Sequence, residues 1–278
     1  MDFIKMHGLG NDFVIIDSLE EERNMDYFRL ALKVCNRNFG VGADGLVVLL
    51  PSKAADLTMR IFNSDGSEAE MCGNAIRCAA KYVYENKLVS YKRIKISTLS
   101  GVVIPEVITN GEHVEFVKVN MGEPRLRAEQ IPTTITDKEM ILGETLKVED
   151  QEFKVTCVSM GNPHCIIYVD NVGSIPLELW GPMIEKSTVF PAHTNVEFVE
   201  ILGPGEVKMR VWERGAGATM ACGTGASAVA VAGVLNGLGN RDLRVNLPGG
   251  ALDISWDKGD NCVYMTGPAE YVFKGTLL

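Results

Sequence analysis

The 278-residue sequence predicts an α/β chain of the α+β type: two pseudo-symmetric domains, each a curved, mainly antiparallel sheet or barrel around a central helix, with a candidate site in the cleft between them. Three observations predict it. The chain repeats itself, each half is rich in short Val/Ile runs, and each half carries one helix directly after a Cys-Gly pair.

The repeat sets the frame. Residues 60–75 read RIFNSDGSEAEMCGNA and residues 210–225 read RVWERGAGATMACGTG, so Arg60 meets Arg210, Phe62 meets Trp212, and the Cys-Gly pairs align at an offset of 150. GLGNDFVIID at 8–17 echoes SMGNPHCIIYVD at 159–170, which sets Asn11 against Asn162. LSGVV at 99–103 is matched by PGGAL at 248–252, and VNMGEP at 119–124 by YMTGPA at 264–269. Collinear order favours a duplicated half-protein over coincidence among Gly-flanked strands. The period is that of a domain duplication, since solenoid units run about 20–50 residues. No linker marks the junction, and the repeat alone puts it near residue 122.

The strands read from DFVIID, GLVVLL, RIKIST and HVEFVKVNM in the first half, and from FKVTCVSM, CIIYVD, NVEFVEIL, VKMRVWE and YMTG in the second. The helix from about Gly223 to Asn236 is Ala/Val on every face, with Gly237 as its stop. A helix apolar all round is buried on all sides, which calls for a sheet wrapped around it. A further helix is expected over residues 25–37. GVGADG at 40–45 matches a dinucleotide fingerprint by letter, but a helix precedes it and LVVLL follows, the reverse of the required context. It reads as a glycine turn.

Hydrophobic residues at 46% and charged residues at 23% are ordinary for a globular chain, and the length suits two domains. A net charge of −9 without a Lys/Arg-rich run argues against nucleic acid or an anionic membrane surface as partner. The longest apolar stretch, ASAVAVAGVL at 226–235, is too short to span a bilayer. MDFIKMHGLGNDF lacks signal-peptide features. Cys35, Cys72, Cys78, Cys157, Cys165, Cys222 and Cys262 form no C-x-x-C, so free thiols in a reducing cytoplasm are expected. The scattered histidines make no metal spacing, and no metal is expected.

Two of these thiols stand out because they repeat together with their glycines. A cysteine at a helix N-terminus sits beside unpaired N–H groups and the positive end of the helix dipole. Both favour thiolate, moving the thiol from about 8.5 toward roughly 3.5–7.5. The neighbouring glycine lets an anion reach those N–H groups. If the halves pack about a pseudo-two-fold axis, Cys72 and Cys222 flank one carbon next to a carboxylate. One thiolate then removes a proton from one face while the other thiol returns one to the opposite face. Cys35, Cys78, Cys157 and Cys262 read as packed core thiols, and Cys165 adjoins His164.

MHGLGNDF, FNSDGSEAEMCGNAIRC, MGNPHC, ERGAGATMACGTGA and LPGG together closely resemble the diaminopimelate epimerase family, essentially end to end. The resemblance implies cofactor-independent interconversion of LL- and meso-2,6-diaminopimelate on the route to lysine and the cell-wall cross-link. It implies a last strand that returns to the first domain, giving domains 1–121 plus 268–278 and 122–267. It also implies Cys72 and Cys222 as the acid–base pair, with Gly73, Asn74, Gly223 and Thr224 holding the reacting carboxylate by backbone N–H. Asn11, Asn63, Asn162, Asn195, Glu213 and Arg214 would bind the remaining polar groups, and His164 and Glu213 would influence activity. Many relatives pair, so a homodimer is compatible with it. Some members carry glutamine, a substrate contact, where this chain has Gly45, and glutamate where it has Ala218.

The residues themselves favour a one-ended site. Nine positions before the cysteines stand Asn63 and Glu213, and eight before stand Ser64 and Arg214, so the charged pair occurs once while the thiols occur twice. Arg214 can hold a carboxylate bidentately and Glu213 can accept from an ammonium, which suits a doubly zwitterionic substrate better than a proline ring. The rival from another class is a thiol redox sensor or ligand-binding module without turnover.

Overall fold

The computed structural model describes residues 1–20 and 25–278. The chain divides into two compact units, Met1–Asn120 with Thr266–Leu278, and Met121–Met265.

The first unit runs β1 (Asp2–Gly8), β2 (Asn11–Asp17), α1 (Tyr27–Val34), β3 (Gly45–Leu50), β4 (Leu57–Asn63), β5 (Glu68–Ala69), α2 (Gly73–Glu85), β6 (Ile96–Thr98), β7 (Gly101–Val103), and the hairpin β8 (Glu106–Asn110) with β9 (His113–Asn120). Its main sheet starts with the strand Glu270–Thr276, continues β1-β2-β3-β4-β6-β7, and carries β5 on β4. Within that order β2–β3 and β4–β6 are the parallel pairs.

The second unit runs β10 (Glu144–Val148), β11 (Gln151–Ser159), β12 (Pro163–Tyr168), α3 (Leu177–Glu185), β13 (Asn195–Gly203), β14 (Glu206–Glu213), β15 (Gly217–Thr219), α4 (Gly223–Leu235), β16 (Asp242–Leu247), β17 (Gly250–Trp256) and the first three residues of β18 (Val263–Gly267). The order is β10-β11-β12-β13-β14-β16-β17-β18 with β15 on β14, and β12–β13 and β14–β16 are parallel. Strand for strand, the first seven positions repeat those of the first unit.

The repeat extends to register. Ile61 pairs with Ala69 as Val211 pairs with Thr219, and Leu46 pairs with Phe62 as Val196 pairs with Trp212. Both central helices have 13 residues. The expected Val/Ile runs fall on strands, RIKIST only over Ile96–Thr98, because their β-branched residues fill the inner faces: Gly45–Leu50 is buried throughout.

Helix α4 is buried from Gly225 to Gly233, as its uniform apolar surface requires. It stops where Gly237 turns left-handed at φ 69°, with Leu238 N–H on Gly233 O at 2.8 Å and Gly237 N–H on Val234 O at 3.1 Å. That is a Schellman ending, which a glycine adopts without strain. Helix α2 is equally buried yet carries two cations: Arg77 Nε donates to Pro268 O at 3.0 Å and Lys81 Nζ to Val114 O at 2.8 Å. Helix α1 is shorter than the expected 25–37. Asp26 caps it, and after Val34 the chain folds back so that Val41 and Gly42 N–H both reach Val34 O at 2.9 Å. A Cβ on Gly40 would collide with Lys33 O, so glycine is required in this reversal. None of the described helices is long and apolar enough to cross a membrane.

Several thiols are sealed in these cores. Burial pushes Cys78 up to about 12 and Cys35 up to about 11, from an ordinary 9.0. Above pH 9 the unfolded chain therefore loses thiol protons that the native state keeps, so stability falls as pH rises from about 9 toward 11–12. Urea midpoints measured at about pH 8 and about pH 11 are expected to show this loss. A level midpoint across that range would mean that these thiols ionise as freely in the folded protein as in the unfolded one.

Candidate active site

Each unit presents one thiol at the mouth of its central helix. Cys72 is the N-cap residue of α2, with extended backbone angles of φ −145° and ψ 115°. Cys222 is the N-cap residue of α4, at φ −130° and ψ 109°. Gly73 and Asn74 open the first helical turn, and Gly223 and Thr224 open the second. First-turn N–H groups have no partner within their own helix and point at whatever lies before the cap.

In the first unit Asn11, Cys72 and Asn74 meet. Asn11 Oδ1 accepts from Asn74 Nδ2 at 2.9 Å and from the Cys72 thiol at 3.8 Å. Asn11 Nδ2 donates to Asp44 Oδ2 at 2.9 Å, which turns the amide oxygen toward the sulfur. Asp44 is itself held by Asp12 N–H at 3.1 Å and Arg37 Nη2 at 2.7 Å. Asn63 does not join this cluster. It closes the β4–β5 turn, with Nδ2 on Ser67 Oγ at 3.0 Å.

In the second unit Cys222 Sγ accepts Gly225 N–H at 3.3 Å and lies 3.5 Å from Thr224 Oγ1. Glu213 Oε1 accepts from Thr219 Oγ1 at 2.5 Å, and its carboxylate also takes a hydrogen bond from the Cys222 thiol. Burial pushes Glu213 above the usual carboxylate range. Burial, followed by the Glu213 carboxylate, pushes Cys222 well above 9.0, and this outweighs the bonds from Thr224 and Gly225. The helix mouth alone does not make this sulfur a thiolate. Something must take its proton, and Glu213 is hydrogen-bonded to it.

His164 is fully buried, with Nδ1 2.6 Å from Glu197 Oε1 and Nε2 3.1 Å from Asn162 Oδ1. Asn162 Nδ2 donates to Thr224 Oγ1 at 3.3 Å. Asn195 Nδ2 donates to Pro163 O at 2.8 Å, and its Oδ1 accepts Arg214 N–H at 2.9 Å, so it braces the loop that carries Arg214. Glu213 and Arg214 are adjacent but separate. The acid turns in to the thiol, whereas the exposed guanidinium touches Ala192 O at 3.1 Å and makes no ion pair among the described residues.

Glu197, Thr219 and Asp44 escaped the sequence reading. A signal existed for Glu197, an acid within the otherwise apolar alternation of NVEFV, where every residue proves buried. The two departures also gain a physical basis. A Cβ on Gly45 would lie 2.9 Å from Phe62 O, so β3 and β4 approach too closely there for a glutamine without backbone movement. In the repeat Ala218 stands where the first unit has Glu68, whose carboxylate takes Arg60 Nε at 2.7 Å. With alanine there, Arg210 instead donates to Ile175 O at 2.8 Å.

The family model described as diaminopimelate epimerase matches residues 3–127 and 156–272. A diaminopimelate epimerase of Pelotomaculum thermopropionicum is 55% identical over 276 residues, covering 99% of this chain and 98% of its own. One from Methanococcus maripaludis is 51% identical over 277 residues, covering 100% and 99%. Among solved structures, a Bacillus anthracis phenazine biosynthesis protein of the PhzF family superposes with a TM-score of 0.73 at 18% identity, covering 100% of this chain and 99% of that one. A probable proline racemase from Agrobacterium radiobacter gives a TM-score of 0.71 at 15% identity, covering 100% and 92%. At such identities these two structures speak for the fold alone.

Proposed function

The chain belongs to the diaminopimelate epimerase family, and we propose that it inverts one α-carbon of 2,6-diaminopimelate, LL to meso and back, by passing a proton between two thiols without a cofactor, in the making of lysine and peptidoglycan precursors. The observation that carries this reading is the same construction made twice: a thiol at the N-cap of a 13-residue helix, behind a hairpin of identical register.

In each direction one sulfur acts as thiolate and removes the α-hydrogen, while the other, as thiol, delivers its own proton to the opposite face. The electron pair left on carbon spreads into the substrate carboxylate, where first-turn N–H groups of Gly73, Asn74, Gly223 and Thr224 meet the growing charge. Glu213 takes the Cys222 proton when that sulfur must serve as base, and its raised affinity for protons suits it to the exchange. Asn11 holds Cys72 differently: an amide oxygen can only accept, so it favours the protonated thiol. Arg214 offers its exposed fork to the distal carboxylate. Asn63, Asn162 and Asn195 supply or brace the remaining polar contacts, with His164 behind Asn162.

In deuterated water the purified protein is expected to place solvent deuterium at the α-position of diaminopimelate and to leave proline unlabelled. Labelled proline with inert diaminopimelate would reverse the assignment.

A further inference from the structure

Glu197 has no part in the reaction as described, yet its placement is unfavourable unless used. It is fully buried on β13, and while Oε1 meets His164, Oε2 is buried with no hydrogen-bond partner among the described residues. Gly225 belongs to the same arrangement, since a Cβ there would sit 2.8 Å from Glu197 Oε1 and 3.2 Å from Cys222 Sγ. The duplication shows that the pair is special to one thiol. The register that sets Leu46 against Val196 sets Val47 against Glu197, and the match of Asn11 with Asn162 sets Phe13 against His164. The half with Cys72 has hydrocarbon where the half with Cys222 has an acid and a base.

A chain of hydrogen bonds leads from Glu197 to the sulfur, and each link dictates the next. Asn162 turns its oxygen to His164 Nε2 at 3.1 Å, so Nε2 carries a hydrogen. Its nitrogen donates to Thr224 Oγ1 at 3.3 Å, which frees the threonine hydrogen to point at Cys222 Sγ, 3.5 Å away. The 2.6 Å link between Nδ1 and Oε1 holds one proton, so the His164–Glu197 pair has no net charge on whichever atom that proton rests. We propose that Glu197 is a positioning residue: by keeping Nε2 of His164 protonated it sets the direction of the whole chain, so that the chain ends in a donor aimed at Cys222. The acidic groups around this sulfur are then Glu213 from β14, which accepts the thiol proton, and Glu197 from β13, neutralised by His164 from β12.

The inference rests on Cys222 being a working thiol, so its test is read on the sulfur itself. The probe is iodoacetamide, with alkylation of each cysteine peptide followed against pH. In Glu197→Gln the imidazole is neutral, with its hydrogen on Nδ1 toward the glutamine oxygen and Nε2 bare. Asn162 then turns over, the Thr224 hydroxyl donates back to it, and Cys222 loses a donor. Its alkylation profile is expected to move to higher pH, with a fall of about tenfold in rate near neutrality, while the profile of Cys72 stays in place. Thr224→Val is expected to give the same movement, and the double variant no more than either alone. If Glu197 acted merely as a nearby negative charge, Glu197→Gln would move the profile to lower pH, and that result, or no movement, overturns the proposal. Nitrogen NMR of the unaltered protein decides independently of any variant. A protonated His164 Nε2 at neutral pH is expected, and a bare one overturns the proposal. Failure of the two-thiol reading would appear separately, as turnover surviving the loss of either cysteine.

Discussion

Cys72→Ala and Cys222→Ala are each expected to lose epimerisation by at least about 1,000-fold while the protein stays folded. Inversion needs a base on one face of the α-carbon and an acid on the other, and alanine supplies neither. Water in the vacated space is too weak an acid and base to replace a positioned thiol. The loss is expected in both directions of reaction, because the proposed mechanism makes each sulfur donor one way and acceptor the other. Structural damage is small, since a sulfur is replaced by a smaller apolar group at a helix cap where the backbone N–H groups keep access to the substrate. Binding of carboxylate-bearing ligands is therefore expected to survive, measured by calorimetry beside the isotope exchange. Normal turnover in either variant would end the paired-thiol account.

Gly181→Ala is expected to destabilise the second unit by about 1–3 kcal/mol, read as a lowered urea midpoint. A Cβ at this position of α3 would stand 2.5 Å from Trp212 Cγ and 2.7 Å from Trp212 Cβ, atoms too close to the backbone to swing aside. The ring is also tethered, with Nε1 donating to Glu185 Oε2 at 2.7 Å, while Glu185 Oε1 accepts Gly215 N–H at 3.1 Å. Relief must come from moving α3 or β14, and β14 leads straight into Glu213 and Arg214. A rise in KM should therefore accompany the loss of stability. An unchanged midpoint would show that the helix and the tryptophan are loosely packed.

The strands and the two central helices were legible because their signals are local and repeated: Val/Ile runs, an all-apolar Ala/Val segment, and a Cys-Gly pair met twice. Helix α3 was not, since LELWGPMIE contains Gly181 and Pro182 and forms through packing against β13 and β14 rather than through propensity. The length of α1 depended on a backbone reversal over residues 36–42 that a periodicity count does not register. At the site, Asn11 bonds Asn74 and Asn162 bonds Thr224, whereas Asn63 spends its amide on Ser67. Glu197 was hidden for a different reason. Its partner His164 lies on the neighbouring parallel strand, 33 positions away, so the pair exists only once the sheet has formed.

The pairing of Glu270–Thr276 with β1 has a consequence for biosynthesis. This strand leaves the ribosome after the whole of the other unit, so for most of translation the outer margin of β1 has bare amides and carbonyls. Such a margin recruits strands from other chains. Premature termination before Glu270 is therefore expected to yield aggregates, and a rigid tag fused close to Thr276 competes with the last act of folding.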